Sequence, residues 1–128
     1  MIVITGGAGF IGSNILAALN RRGESDLTVV DWLGTGDKWR NIAKREIRDI
    51  VPPEQALPYL ENHADKILAV IHMGAISSTV ETDADLIIAS NFRLSWRLFS
   101  FCRDFGKQFI YASSAATYGD GCQGFEDR

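Results

Sequence analysis

Residues 2–12 read Ile-Val-Ile-Thr-Gly-Gly-Ala-Gly-Phe-Ile-Gly, and this opening stretch decides the fold. β-Forming residues run into glycines spaced three apart (Gly6, Gly9 and Gly12), and an apolar pattern of helical period follows at once. The order predicts a strand, a tight turn and a helix N-terminus, whose unpaired N–H groups suit a pyrophosphate. An ordinary glycine-rich turn is the alternative, but a turn with a strand before it and a helix behind it favours dinucleotide binding.

The composition is that of a globular domain. The chain has 128 residues, of which 46% are hydrophobic and 23% charged, and its net charge of −3 does not indicate nucleic acid or an anionic membrane as a partner. Its apolar runs are shorter than the roughly eighteen residues of a membrane span, and the N-terminus lacks a signal-peptide pattern. Cysteines and histidines do not occur at metal-ligand or disulfide-framework spacing. We therefore expect a cytoplasmic protein that binds no metal, nucleic acid or membrane.

A second strand is predicted over residues 27–31, and it ends in an acid. Asp31 follows Gly12 by 19 residues, close to the roughly 20 at which dinucleotide-binding folds place a ribose-binding carboxylate. A strand-end acid that caps a turn is the alternative. Lys38 lies in the glycine-containing loop that follows, and it faces either a 2′-phosphate or solvent.

Three further strands alternate with helices in the rest of the chain. A short third strand is predicted over 45–50, with Asp49 and Ile50 at its end, and prolines then open a helix. The fourth strand, 67–72, precedes a loop of small residues that includes Gly74, Ala75 and Ser77.

A long helix over 83–105, ended by Gly106, carries the polar Asn91 among apolar inner positions such as Ile87, Ile88 and Leu94. The fifth strand, 108–114, ends in Ser113 and Ser114. Strands that alternate with helices predict an α/β fold, a Rossmann-like doubly wound parallel sheet with right-handed crossovers. The chemically suggestive residues all follow strands, so we expect them at the carboxyl edge of one sheet.

Two segments together resemble the extended short-chain dehydrogenase/reductases: Thr-Gly-Gly-Ala-Gly-Phe-Ile-Gly at 5–12 and Tyr-Ala-Ser-Ser-Ala-Ala-Thr-Tyr-Gly at 111–119. The 113–119 part and the Gly-Ala-Ile-Ser-Ser-Thr loop at 74–79 are most similar to a branch of lipopolysaccharide core biosynthesis. Enzymes of that branch convert ADP-D-glycero-D-manno-heptose to its L-glycero epimer at C6. The resemblance implies an isomerase with a nucleotide-sugar substrate, which works through transient oxidation by bound NADP.

The resemblance also implies roles for single residues. Ser114 would be the catalytic serine, which hydrogen-bonds the substrate oxygen. Trp32 stands beside the 2′-phosphate site where the family often has Asn, so NAD stays open as the cofactor. The implied cofactor-binding residues are Gly6, Gly9, Phe10, Ile11, Gly12, Asp31, Trp32, Lys38, Asp49, Ile50, Gly74, Ala75, Ser77 and Asn91.

The family's Tyr-x-x-x-Lys pair does not occur within 1–128, because neither Tyr111 nor Tyr118 has a Lys four residues later. We expect residues 1–128 to be the N-terminal part of an NAD(P)-binding Rossmann domain, truncated after about the fifth strand and without a substrate domain. Such a piece would be inactive by itself, and the full-length enzyme would be a homo-oligomer. Two alternatives stay open: another nucleotide-sugar epimerase or dehydratase, and a non-catalytic dinucleotide-binding module.

Overall fold

The computed structural model of the chain describes residues 1–75, 82–114 and 118–125. Five parallel strands form one sheet in the order β3-β2-β1-β4-β5. The strands are β1 (Ile2–Thr5), β2 (Leu27–Val30), β3 (Asp49–Val51), β4 (Ala69–His72) and β5 (Gln108–Tyr111). The helices are α1 (Phe10–Arg21), α2 (Ala56–Asn62), α3 (Ala84–Ile87) and α4 (Leu94–Phe105), with a π-helical turn (Ile88–Arg93) between the last two.

The strand order confirms the predicted Rossmann-like sheet. β1 pairs with β2 on one side and with β4 on the other, so the chain reverses its direction of winding beside β1. Ligands of open α/β sheets bind at that switch point, beyond the carboxyl ends of the strands. The loops that follow β1, β2, β4 and β5 all leave from this edge.

Helices pack on both faces of the sheet around its central strands, as is typical of parallel sheets. On one face Val3, Val30 and Val70 pack with Leu60 of α2 and Leu98 of α4. On the other face Ile4, Leu27 and Val29 pack with Leu16 of α1. Neighbouring residues of a strand contribute to opposite clusters because side chains alternate across a sheet.

The third strand differs from the prediction, which placed it at 45–50. Asn20 of α1 holds residue Glu46, since its side-chain oxygen accepts the Glu46 N–H and its amide donates to the Glu46 carbonyl, both at 2.9 Å. These backbone groups are therefore not available to β2. Pairing with β2 starts at Asp49, opposite Thr28, and β3 runs one residue past the predicted end.

The long helix also differs, because it contains a π turn at Ile88–Arg93. A π turn inserts one extra residue, so one face of the helix cannot point inward both before and after it. Leu98 and Cys102, after the turn, are buried, while Ile88, at its start and predicted as an inner residue, is 45% exposed. Asp83 caps the start by accepting the Leu86 N–H, and Gly106 ends the helix with a φ of +68°.

Candidate functional site

Close backbone contacts hold the glycine loop after β1 in place. Gly6 has a φ of +66°, and a Cβ there would lie 2.7 Å from the Gly74 nitrogen. A Cβ on Gly12 would lie 2.1 Å from the Gly6 carbonyl oxygen. Only glycine fits these two positions, so Gly12 allows α1 to pack against the loop, and Gly6 allows the loop to pack against the β4 segment.

The start of α1 faces open space. Gly9 is the N-cap residue, with extended backbone angles, and no acidic side chain lies in the first turn of this fully described helix. Phe10 and Ile11 are 84% and 59% exposed. The N–H groups of a first helical turn have no acceptor within the helix, and the helix dipole is positive there. An anion that approaches this end meets no acidic side chain from the first turn of the helix.

Asp31 joins the glycine loop to the loop after β2. Its backbone N–H donates to the Val51 carbonyl at 3.1 Å, which fixes the residue at the end of β2. One carboxylate oxygen accepts the Ala8 N–H at 3.0 Å, and the other accepts from the Lys38 ammonium at 2.6 Å. The Asp31 side chain is 8% exposed and that of Lys38 is 40% exposed. Lys38 thus has a defined partner, and its ammonium still reaches solvent.

Polar side chains on the β4 side were not predicted from the sequence. Thr5 ends β1, His72 ends β4, and the two are opposite each other in the register of the sheet. Thr5 Oγ1 lies 2.5 Å from His72 Nδ1 and accepts the Gly74 N–H at 2.9 Å. Burial lowers the pKa of His72. The signal in the sequence was a hydroxyl and an imidazole at the ends of two otherwise apolar strands.

These elements enclose a cleft of about 570 Å³ at the carboxyl edge of the sheet, beside β1. A volume of this size lies within the range of small-molecule sites, roughly 300–1,000 Å³. Most of the residues that the family resemblance implies as cofactor contacts line the cleft, namely Gly6, Gly9, Phe10, Ile11, Gly12, Asp31, Trp32, Lys38, Gly74 and Ala75. The remaining lining residues are Thr5, Val30, Pro53, Met73 and Leu94.

Other predicted site residues lie elsewhere. Asp49 and Ile50 belong to β3 and precede its carboxyl end, and Asn91 lies in the π turn. Ser114 follows β5 and is exposed at the same sheet edge as the glycine loop, but it does not line the cleft. Ser77 is outside the described residues. Cofactor or substrate contact by these five residues stays a prediction.

Two further observations concern the described part of the chain only. It contains no group of three or more His, Cys, Asp or Glu side chains that would hold a metal ion. None of its helices is both long and apolar enough to cross a membrane.

Comparison with known proteins assigns the family. Residues 2–128 match the family model described as the NAD dependent epimerase/dehydratase family. The chain belongs to this family. The predicted fold and the predicted family resemblance are confirmed.

Individual epimerases within the epimerase/dehydratase family are similar to this chain. The chain is 48% identical to the ADP-L-glycero-D-manno-heptose-6-epimerase of Fusobacterium nucleatum over 99% of its own length and 39% of that protein. The crystal structure of the Helicobacter pylori ADP-L-glycero-D-manno-heptose-6-epimerase superposes with a TM-score of 0.77 at 26% identity, covering 93% of this chain and 40% of that one. The UDP-glucose 4-epimerase of Brucella ovis, solved in complex with NAD, gives a TM-score of 0.71 at 31% identity, covering 98% and 41%. The chain thus spans about two fifths of these relatives.

Proposed function

We propose that residues 1–128 form the NADP-binding part of an enzyme that inverts C6 of ADP-D-glycero-D-manno-heptose to give the L-glycero epimer. The observation that carries this proposal is the 48% identity to the Fusobacterium nucleatum epimerase across 99% of the chain. The reaction belongs to lipopolysaccharide core biosynthesis and takes place in the cytoplasm. The remaining sheet strands, the substrate domain and a homo-oligomeric interface lie outside residues 1–128 in this proposal.

The described residues fit a nicotinamide dinucleotide. Gly9 supports this, because a Cβ there would lie 3.2 Å from the Gly6 carbonyl and would narrow the approach to the α1 N-terminus. The first-turn N–H groups of α1 would hold the pyrophosphate, and Asp31 would accept from a ribose hydroxyl. Gly74 and Ala75 would line the cofactor farther along the cleft. The cofactor, when bound, supplies removal and return of a hydride at C6.

A preference for NADP over NAD rests on Lys38. Its ammonium lies on the cleft wall beside Asp31, where a 2′-phosphate on the adenosine ribose would bring negative charge. Trp32 stands next to Asp31, and its indole N–H donates to Glu54 at 2.8 Å. A tryptophan held in this way offers an apolar ring and no second cation, so Lys38 is the residue that favours the phosphate.

The catalytic residue within this chain is Ser114 in the proposal. Its hydroxyl would hydrogen-bond the substrate oxygen that loses and regains a proton, and its exposed place after β5 leaves it accessible to a sugar nucleotide. Asn91 and Ser77 would support the cofactor, and Asp49 with Ile50 would flank the adenine. A tyrosine with a neighbouring lysine, outside residues 1–128, would act as the base.

Epimerisation at C4 of a UDP-hexose is a second candidate. It is favoured by the 31% identity and the TM-score of 0.71 with the Brucella ovis UDP-glucose 4-epimerase. The two candidates share the cofactor half of the mechanism and differ in the substrate.

Titration calorimetry of residues 1–128 with NADP and NAD tests cofactor binding. A chimera tests the reaction: residues 1–128 replace the corresponding segment of the Fusobacterium nucleatum epimerase, to which they are 48% identical. Conversion of ADP-heptose by the chimera, lost on Ser114→Ala, is the expected result. A folded chimera that binds cofactor and converts no ADP-heptose would contradict the proposal.

A further inference from the structure

A series of hydrogen bonds, buried at Thr5 and His72, connects the cleft to the π turn. It starts at the Gly74 N–H, which donates to Thr5 Oγ1 at 2.9 Å, and continues from Thr5 Oγ1 to His72 Nδ1 at 2.5 Å. His72 Nε2 lies 2.7 Å from Ser95 Oγ, and Ser95 Oγ donates to the Asn91 carbonyl at 3.0 Å. Four bonds thus join the loops after β1 and β4 to the long helix.

The last acceptor sets the direction of every bond in this series. A carbonyl accepts only, so Ser95 uses its single hydrogen on Asn91, and its oxygen must accept from His72 Nε2–H. In a neutral ring the other nitrogen, Nδ1, is then an acceptor, and Thr5 donates to it. Thr5 Oγ1 keeps a lone pair for the Gly74 N–H. One tautomer of His72 thus satisfies every donor and acceptor in these four hydrogen bonds.

The surroundings of His72 favour the neutral ring. The side chain is 6% exposed. Among the described residues, the groups that contact it are the Thr5 hydroxyl from β1, the Ser95 hydroxyl from α4 and the Phe109 ring from β5, which stacks at a centroid distance of 6.1 Å. None of these three side chains carries a charge, and burial holds the pKa of His72 below its ordinary value.

We infer that His72 is a positioning residue of the cofactor site: as the neutral Nε2–H tautomer it orients Thr5 to accept from Gly74, and so sets the position of the Gly74 backbone beside the glycine loop. The inference rests on the proposed function for the identity of the ligand, a nicotinamide dinucleotide. Its structural part, the tautomer and the Gly74 bond, holds without the ligand.

The position of Gly74 affects the glycine loop because Gly74 and Gly6 are in contact. A Cβ on Gly6 would lie 2.7 Å from the Gly74 nitrogen, so one backbone cannot shift toward the other. A protonated His72 would carry N–H groups on both ring nitrogens. Thr5 Oγ1 would then face two donors, and its own hydrogen would lose the acceptor it has. Protonation of His72 therefore leaves the Thr5 hydroxyl hydrogen without its acceptor, so that His72 no longer fixes which lone pair of Thr5 faces Gly74.

Nuclear magnetic resonance of the 128-residue chain tests the tautomer, with an internal control. His63 Nδ1 lies 2.8 Å from the Tyr59 carbonyl, so a neutral His63 must carry its proton on Nδ1. Long-range ¹H–¹⁵N spectra above neutral pH are expected to show opposite tautomers, Nε2–H for His72 and Nδ1–H for His63. A proton on Nδ1 of His72 would overturn the inference.

Affinity measurements test the positioning role. Thr5→Val removes the hydroxyl and keeps the shape, while Thr5→Ser keeps the hydroxyl. Thr28→Val is the matched control, because Thr28 is equally buried in the neighbouring strand and its hydroxyl bonds Tyr59, away from Gly74. We expect Thr5→Val to weaken NADP binding roughly tenfold, and we expect Thr5→Ser and Thr28→Val to bind within about twofold of the parent.

The two sets of results separate the inference from the proposed function. If the parent chain binds neither NADP nor NAD, the proposed function fails, and the His72 tautomer together with a Gly74 amide shift in Thr5→Val still decides the structural part. If the parent binds NADP and Thr5→Val binds as Thr28→Val does, the inference fails and the proposed function stands.

Discussion

Lys38 and Asp31 form an ion pair of 2.6 Å on the wall of the cleft, and the second oxygen of Asp31 accepts the Ala8 N–H. The pair joins two loops that follow adjacent strands, β1 and β2. It also presents an acceptor and a cation side by side at one end of the cleft. A ribose hydroxyl would use the first of these groups, and a 2′-phosphate would use the second.

Lys38→Ala should change the affinity for NADP and leave the affinity for NAD nearly unchanged. Loss of one charged hydrogen bond to the 2′-phosphate should weaken NADP binding by about 1–3 kcal/mol, while NAD binding stays nearly the same. Titration calorimetry with both cofactors measures the difference, and Lys44→Ala, an exposed lysine outside the cleft, is the matched control. Equal losses of affinity for NADP and NAD would show that Lys38 supports the loop and does not contact the 2′-phosphate.

Gly9→Val should abolish binding of NADP and NAD alike. The backbone of Gly9 has a φ of −74°, which valine tolerates, so the effect comes from the side chain. Its first carbon would already lie 3.2 Å from the Gly6 carbonyl, and the branched methyls would fill the approach to the helix N-terminus. Gly36→Val, where a Cβ meets nothing within 4 Å, is the control. Retained cofactor binding in Gly9→Val would place the pyrophosphate elsewhere.

Gly12→Ala should destabilise the chain more than Gly106→Ala. A Cβ on Gly12 would meet the Gly6 carbonyl at 2.1 Å, and this backbone atom cannot move aside without shifting the loop. Overpacking of this kind costs about 3 kcal/mol. Gly106 has a φ of +68° and open space around it, so alanine there costs about 1–2 kcal/mol for the left-handed conformation alone. Urea unfolding of both variants measures the order, and a smaller loss for Gly12→Ala would contradict it.

Local patterns were sufficient for the sheet and for most of the cleft. Gly12 is explained by a contact within a few residues, since it packs on Gly6. Asp31 was identified by its place at the end of an apolar strand, and the strand order puts that place beside the glycine loop. The ends of the strands predict the place of the cleft because the carboxyl ends of parallel strands lie at one edge of the sheet.

Long-range contacts account for what the sequence did not predict. β3 starts late because Asn20, 26 residues earlier, holds the backbone of Glu46. The bond between Thr5 and His72 spans 67 residues, and the bond between His72 and Ser95 spans 23 residues. The spacing of apolar residues along the sequence does not show which distant residues make contact. Thr5, His72 and Ser95 are therefore not predicted as site residues from the sequence.

His72 should make the stability of the chain depend on pH below about 6.5, the ordinary pKa of histidine. Burial lowers the pKa of His72 in the folded state, so in this window the unfolded state binds more protons and the free energy of unfolding falls as the pH falls. His72→Gln should reduce that slope. His63 is present in both proteins, so the difference between them isolates His72. Urea unfolding between pH 5 and pH 8 is the measurement, and equal slopes would refute the prediction.

The chain of 128 residues should have no epimerase activity by itself. An aliphatic hydroxyl such as that of Ser114 does not give up its proton near neutral pH, and none of the three tyrosines, Tyr59, Tyr111 and Tyr118, has a Lys four residues later. General acid–base catalysis contributes about 10²–10⁴-fold, and a substrate misplaced by about 1 Å loses on the order of 10²-fold more. Incubation with ADP-heptose and NADP, followed by the epimer ratio in NMR spectra, should show no conversion. Steady conversion that disappears on Ser114→Ala would prove that these residues suffice for catalysis.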